Sequence, residues 1–367
     1  MNGWHKTTLG DVIELQRGYD LPERVRRPGT IPVIGSAGLT GWHDEARVKA
    51  PGVVLGRAGA SAGAVTYVQD DFWPHNATLF VKDFKGNDPK FLFYLLHTMP
   101  FDELNSGSAQ QMLNRNYAYL LPVTIPKVAE QRRIASILGA YDDLIEVNRR
   151  RIAILEEMAR RLFDEWFVHF RFPGHEGHRM VETEHGKLPE GWRRGLLDDL
   201  LSLPYGKALR ADGRVVGEIP VIGSSGIVGW HNEALVAGPG IILGRKGNVG
   251  SVIWSDVAFF PIDTVFYVDA KAPLRFLYQL LKRLKFLNSD AAVPGLNRTG
   301  ALRMNIVVPP FSLMDLYQAR IEVMLLQSSI LSKTILGLAA SRDLLLPRLI
   351  SGELSVTAAQ RELDAAA

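Results

Sequence analysis

The chain has 367 residues, 47% of them apolar, no cysteine, and a formal net charge of +3 at neutral pH. That length predicts two to three folded domains, the apolar share excludes a disorder-dominated chain, and the missing cysteine excludes disulfides, thiol nucleophiles and cysteine-bound zinc. The start, MNGWHKTTLGD, lacks the succession of a signal peptide, and no apolar run approaches the ~18 residues of a membrane span, so a soluble cytoplasmic protein is expected.

In chain order, the first stretch with a strong signal is Ile31 to Gly59, because a near copy returns at Ile219 to Gly247, 188 residues later and without a gap, with 19 of 29 positions identical. The chain is a duplication, and a period this long makes each copy a whole domain rather than a stacking repeat. Gly3-Trp4, Asp11 and Gly18 match Gly191-Trp192, Asp199 and Gly206 at the same offset. Within the first copy, short β-rich runs at Ile31–Ile34, Val53–Leu55, Ala64–Val68 and Thr78–Val81 alternate with Gly, Pro and Asn/Asp clusters, the pattern of a twisted multi-stranded scaffold. A helix is predicted at Lys90–His97 and its echo at Arg275–Leu284. The segments Ser106–Arg115 and Ser289–Arg298 follow, then a last strand ending at Pro126 and at Pro309-Pro310.

After Pro126 the pattern changes. Ile134, Leu138, Tyr141, Ile145, Asn148, Ile152, Leu155, Ala159, Leu162 and Trp166 step by four and three, the seam of a coiled coil. Gln318 to Leu346 carries a second seam through Ile321, Met324, Ser328, Leu331, Ile335, Leu338, Arg342 and Leu345, with Pro347 predicted to end it. The expected architecture is α+β: two duplicated β-rich domains at 1–127 and 188–310, long helices at 128–172 and 311–350, a linker at 173–187 and a tail at 351–367. Pairing the helices antiparallel buries both seams and gives the chain pseudo-twofold symmetry.

No catalytic motif emerges. There is no phosphate-binding Gly-x-x-x-x-Gly-Lys-Ser/Thr loop, and Val307-Val308-Pro309-Pro310-Phe311 lacks the Asn or Asp that an amino-methyltransferase motif needs. His169, His175, His178 and His185 read as a solvated linker rather than a metal site. Recognition fits better. Lys and Arg exceed Asp and Glu by 13 to 12 in residues 1–127 and by 14 to 10 in residues 188–310, which permits nucleic-acid binding without requiring it. Arg57 and Arg245 stand between glycines in repeated Gly-Arg-x-Gly loops, where a guanidinium can make a bidentate contact to phosphate or guanine. Asn114-Arg115 and Asn297-Arg298 offer donors of the kind that read adenine and hold phosphate. Ser36, Ser224, His43, His231, Gln110, Gln111 and Lys246 complete the candidate DNA-contact set. Gln110-Gln111 faces Val293-Pro294 and Ala58 faces Lys246, so the two copies differ at these positions.

Taken together, Leu9-Gly10-Asp11, the Ile-Pro-Val-Ile-Gly-Ser and Gly-Arg-x-Gly repeats, the Leu-Asn-Arg segments, Glu130-Gln131-x-x-Ile134-Ala135, Leu162-Phe163-x-x-Trp166-Phe167 and the closing Leu345-to-Glu353 run resemble the specificity subunits of Type I restriction-modification systems, over essentially the whole chain. The resemblance implies a non-catalytic subunit with two target recognition domains, each reading half of a bipartite, asymmetric double-stranded DNA site. It implies helices that set half-site spacing and dock two modification (methyltransferase) subunits. Those partners would hold S-adenosylmethionine and methylate adenine, with ATP and magnesium on restriction subunits. A stand-alone DNA-binding regulatory or architectural protein is the alternative.

Overall fold

The computed structural model describes residues 3–104, 112–184, 186–286 and 295–357. The chain divides into two compact units, Met1–Arg149 with Ser332–Ala367, and Arg150–Leu331.

The first unit opens with nine strands: β1 (Trp4–Thr8), β2 (Glu14–Arg17), β3 (Ile31–Gly35), β4 (Gly38–His43), β5 (Gly52–Gly56), β6 (Val65–Val68), β7 (Trp73–Pro74), β8 (Thr78–Asp83) and β9 (Pro122–Pro126). They form a four-stranded sheet in the order β2-β8-β5-β6, a three-stranded sheet β4-β3-β7, and the pair β1-β9 that ties the domain's two ends together. Short helices α1 (Leu9–Val12), α2 (Pro89–His97) and α3 (Arg115–Tyr119) fill the gaps. In α2 the cap is Asp88, whose carboxylate accepts from the Phe91 amide at 2.9 Å, as a helix opening on Pro89 favours. Its apolar face buries Phe91, Leu92, Leu95 and Leu96 in one core with Val53, Leu55 and Val81.

The long helix α4 runs from Val128 to Phe167, not to residue 172. Its repeated Gln131 is almost fully buried and clamps helix to domain: Nε2 donates to Pro126 O at 3.0 Å and Asn87 Oδ1 at 2.8 Å, while Oε1 accepts from the Asp88 amide at 2.9 Å. The spacing predicted for the seam is the burial pattern observed. Ile134, Leu138, Tyr141, Ile145, Asn148, Ala159 and Trp166 are buried, with Ile152, Leu155 and Leu162 half-buried.

The second unit holds β10 (Met180–Thr183), β11 (Gly186–Pro189), β12 (Arg193–Leu196), β13 (Leu201–Ser202), β14 (Ile219–Gly223), β15 (Gly226–His231), β16 (Gly240–Gly244), β17 (Val252–Ser255), β18 (Phe260–Pro261), β19 (Val265–Tyr267), β20 (Asp269–Ala270) and β21 (Asn305–Val308), with α5 (Leu274–Arg283), α6 (Arg298–Leu302) and the part of α7 (Phe311–Ile350) that precedes Ser332. Sheets β15-β14-β18 and β17-β16-β19 and the pair β12-β21 repeat the first unit. One strand is broken. Where β2 runs without interruption, Pro204 replaces Gln16, and the pairing splits into β13-β20 and an isolated Tyr205–Phe266 bridge, because proline has no N–H for a ladder. The expected linker 173–187 also carries structure: β10 and β11 pair as a hairpin. His175 and His178 pack on Phe172, with His175 Nδ1 2.8 Å from Phe172 O, and His185 lies outside the described residues.

Pro347 lies inside α7 and does not end it; the helix continues to Ile350. So near the helix end its missing N–H removes a single backbone bond. In the first unit Leu345, Leu349 and Ile350 of α7 share a core with Ile134, Leu138 and Tyr141 of α4. In the second unit Met314, Tyr317 and Ile321 of α7 share one with Ala159, Phe163 and Trp166 of α4. Arg342, a cation on a seam, is explained by Asp142: Nη1 donates to Oδ1 at 2.6 Å, and the other oxygen accepts from the Tyr94 hydroxyl at 2.5 Å. Burial, and then that bond, hold the Tyr94 hydroxyl far above the usual phenol range.

Contrary to the sequence expectation, α7 contains an 18-residue window long and apolar enough to cross a membrane by length and composition. Its apolar residues are not confined to the seam: Val323, Leu326, Ile330 and Leu336 are exposed, as are Leu144, Val147, Ile154 and Met158 on α4.

Candidate nucleic-acid interface

In the first unit four connections meet at one end of the sheets. The β5–β6 loop is held by the Arg57 amide, which donates to Ala77 O at 2.9 Å in the β7–β8 turn, and by Arg57 O, which accepts from the Leu113 amide at 2.8 Å. The β3–β4 turn joins through Ser36, whose Oγ donates to Ala77 O at 2.6 Å. The glycines around Arg57 serve this packing rather than an approaching ligand. A Cβ on Gly56 would lie 1.9 Å from Ser61 O, and Gly59 has φ +78°, a conformation other residues adopt at a cost.

This framework lines a cleft of about 360 Å³ with Arg17, Arg57, Leu79, Leu113, Asn114 and Arg115. Arg17 Nε donates to Asn76 O at 3.3 Å and Arg115 Nη1 to Leu15 O at 3.2 Å. Among the described residues, the Arg57 side chain has neither a hydrogen-bond nor an ion-pair partner. Asn114 is occupied as the cap of α3, its Oδ1 accepting from the Asn116 amide at 3.0 Å. Beside the cleft, burial and then Arg26 push the His75 imidazole below its ordinary pKa, so that it carries no charge at neutral pH.

The second unit repeats the frame. The Arg245 and Lys246 amides donate to Thr264 O at 2.9 and 3.0 Å, and Arg245 O accepts from the Leu296 amide at 2.8 Å. Ser224 holds the turn, its Oγ accepting from the Asn248 amide at 3.4 Å. The side chains are arranged differently. Tyr205 stands at the position of Arg17, 49% exposed, with the guanidinium carbons of Arg245 and Arg298 at 5.0 and 5.5 Å from its ring centroid. Arg245 Nη1 also donates to Asp263 O at 2.9 Å. Arg298 Nε is buried with no hydrogen-bond partner among the described residues. Asn297 caps α6 through the Gly300 amide at 2.9 Å.

Ser36, Arg57, Asn114 and Arg115 thus gather at one loop cluster in the first unit, and Ser224, Arg245, Lys246, Asn297 and Arg298 at the equivalent cluster in the second. Gln110 and Gln111 lie outside the described residues. His43 and His231 are buried, at 2% and 7% exposure, and each Nδ1 accepts a backbone amide at 3.0 Å, from Arg27 and Val215. Their rings meet Trp73 and Phe260 edge-on, so the repeated histidine braces a loop. The neighbouring Trp42 and Trp230 are the exposed members of that motif, at 53% and 54%.

Sequence reasoning missed Arg17 and Tyr205. The signal was present, since each directly precedes the matched Gly18 and Gly206, but only the fold brings them beside Arg57 and Arg245. It also missed Arg26 and Arg214, which reach under the β-hairpins to Thr40 O at 2.9 Å and Val228 O at 2.6 Å.

Comparison with known proteins agrees with this frame. Residues 1–157 match the family described as Type I restriction modification DNA specificity domain. The Type I restriction enzyme MjaIX specificity subunit of Methanocaldococcus jannaschii is 23% identical over 347 residues, covering 84% of this chain and 79% of that protein. A putative type I specificity subunit of Mycoplasma pneumoniae is 26% identical over 280 residues, covering 71% of this chain and 70% of the relative. Among solved structures, the S subunit of a Type I restriction-modification system from M. genitalium superposes with a TM-score of 0.63 at 18% identity, over 95% of this chain and 96% of that one, a likeness of fold. The repeated frames of the two α+β units, the specificity-domain match over residues 1–157 and the relatives that extend across both units make this chain similar to Type I restriction-modification specificity subunits.

Proposed function

We propose that the chain is a non-catalytic DNA-reading subunit in which each unit's loop cluster engages one half of a bipartite, asymmetric site on double-stranded DNA. The observation that carries this reading is the double occurrence of one loop cluster, with arginines at its matched positions and different side chains around them. Arg57 and Arg245 hold backbone phosphates in both half-sites, and the unmatched positions select bases. The two long helices pair antiparallel as a coiled coil and set the distance between half-sites.

The apolar side chains left outside the seams, Leu144, Val147, Ile154 and Met158 on α4 and Val323, Leu326 and Ile330 on α7, support docking of two methyltransferase subunits, because monomeric proteins rarely leave such stripes uncovered. A protein partner also accounts for the membrane-like composition of α7 in a cytoplasmic complex. Those partners supply S-adenosylmethionine and methylate adenine, and restriction subunits supply ATP and magnesium.

Mapping methylated adenines in the host genome with and without this gene tests the reading. The expected result is loss of one bipartite motif, and exchanging residues 1–127 for those of another family member changes one half of it. A contiguous palindrome, or purification from the host without a stoichiometric methyltransferase, overturns the reading in favour of a stand-alone DNA-binding protein.

A further inference from the structure

The two clusters differ at one strand position that the duplication makes directly comparable. Arg17 pairs with Leu79 across β2 and β8, and Tyr205 bridges Phe266. Gly18 and Gly206 follow them, with amides donating to Thr78 O at 3.0 Å and Val265 O at 3.1 Å. The same backbone position therefore presents a cation in one unit and an aromatic ring in the other.

In the first unit the consequence is electrostatic. Arg17, Arg57 and Arg115 line one cleft of about 360 Å³ whose lining holds no carboxylate. Two of the three guanidiniums are fixed by backbone carbonyls, which orient them without cancelling their charge. Three like charges around one concavity repel until an anion enters, and guanidinium forks match phosphate oxygens in pairs. In the second unit Tyr205 takes the third place and lies within cation–π distance of both remaining arginines. Those contacts hold Arg245 and Arg298 in place in the absence of any anion.

We propose that Arg17, Arg57 and Arg115 form a phosphodiester-binding cleft peculiar to the first unit, and that Tyr205 takes the place of the Arg17 phosphate contact in the second, where Lys246 stands at the position of Ala58. The inference rests on the DNA-reading function proposed above. It names Arg17 and Tyr205 as the residues that set the difference, and the DNA backbone as the ligand.

The test uses the full chain with its co-purifying methyltransferase and a duplex carrying the mapped methylation site. The slope of log affinity against log salt is measured, because each phosphate contact releases condensed counterions and contributes about 0.9 to that slope. Arg17→Ala is expected to lower its magnitude by about 0.9, Arg17→Lys to keep it, and Tyr205→Arg to raise it by about 0.9. A wild-type slope in Arg17→Ala, or equal loss in Arg17→Ala and Arg17→Lys, overturns the cleft, the second outcome showing that the side chain only braces Asn76. Failure of the unsubstituted complex to bind the duplex is a separate result. It overturns the DNA-reading function itself, before any variant is compared.

Discussion

The first unit has an uninterrupted β2 and three arginines around its cleft; the second has Pro204 in the equivalent strand and a tyrosine between two arginines. Yet Gly56 and Gly244, and Gly59 and Gly247, perform the same tasks in both, while Ser36 donates to Ala77 O and Ser224 accepts from the Asn248 amide. A duplicated frame therefore tolerates change where a side chain faces outward from the loop ends and resists it where backbone packs on backbone. A Cβ on Gly244 would stand 2.1 Å from Asn248 O, as one on Gly56 would meet Ser61 O at 1.9 Å. Identity between copies marks the scaffold, and divergence marks the surface by which the two units differ.

The helix junctions differ in the same way. The second unit centres on Tyr317, fully buried among Phe163, Trp166 and Phe167 with its hydroxyl donating to Ala159 O at 2.9 Å. Tyr317→Ala is expected to destabilise that unit by about 3–5 kcal/mol, read in urea as an earlier transition of the second unit while the first holds. Simultaneous loss of both units would show that they unfold as one. The first unit instead uses the polar bridge Tyr94–Asp142–Arg342. Arg342→Leu leaves Asp142 about one-third exposed and short of a partner, and is expected to cost about 1.5–3 kcal/mol, visible as a lower melting temperature that Asp142→Asn in the same chain partly restores.

At the loop ends, Arg57→Ala and Arg245→Ala are each expected to reduce the magnitude of the salt slope of DNA binding by about 0.9 while leaving the melting temperature in place. An effect from only one of them would break the equivalence of the two grips. The smallest effect concerns the matched aspartates. Asp11 is lowered to about 2 from an ordinary 3.8, chiefly by hydrogen bonds from Thr8 and then Thr7, whereas Asp199 is lowered chiefly by its bond to Arg193. With folded values depressed, the stabilisation both provide is complete above pH 3.8 and is lost as pH falls toward the folded values. Carboxyl chemical shifts followed from pH 5 to 1.5 at two salt concentrations are expected to move the Asp199 midpoint upward with salt and Asp11 much less. Equal movement would remove the distinction.

Much of this was written in the sequence. The duplication, the strand runs at Ile31–Gly35 and Val53–Leu55, the α2 helix and both seams follow from alternation, helical period and an internal match of the chain to itself. Two local rules misled. Pro347 reads as a helix stop, but so close to the end of α7 its cost is one bond. The repeated histidine beside tryptophan reads as a contact residue, but burial gives His43 to Arg27 and exposes Trp42 instead. Arg57 and Arg245 stood out because glycines flank them, whereas Arg17 and Tyr205 had no such marker; each is a single strand residue whose neighbours across the sheet are remote in sequence.

The sequence by itself determined the two-copy plan, the placement of the long helices and the family likeness, because periodicity and internal repetition are properties of the chain. Only the tertiary structure decided which repeated residues are braces and which face the cleft. That depends on the pairing of Arg17 with Leu79 and of Tyr205 with Phe266 across each sheet, and on the loop contacts that bring Arg115 and Arg298 each to the loop cluster of its own unit.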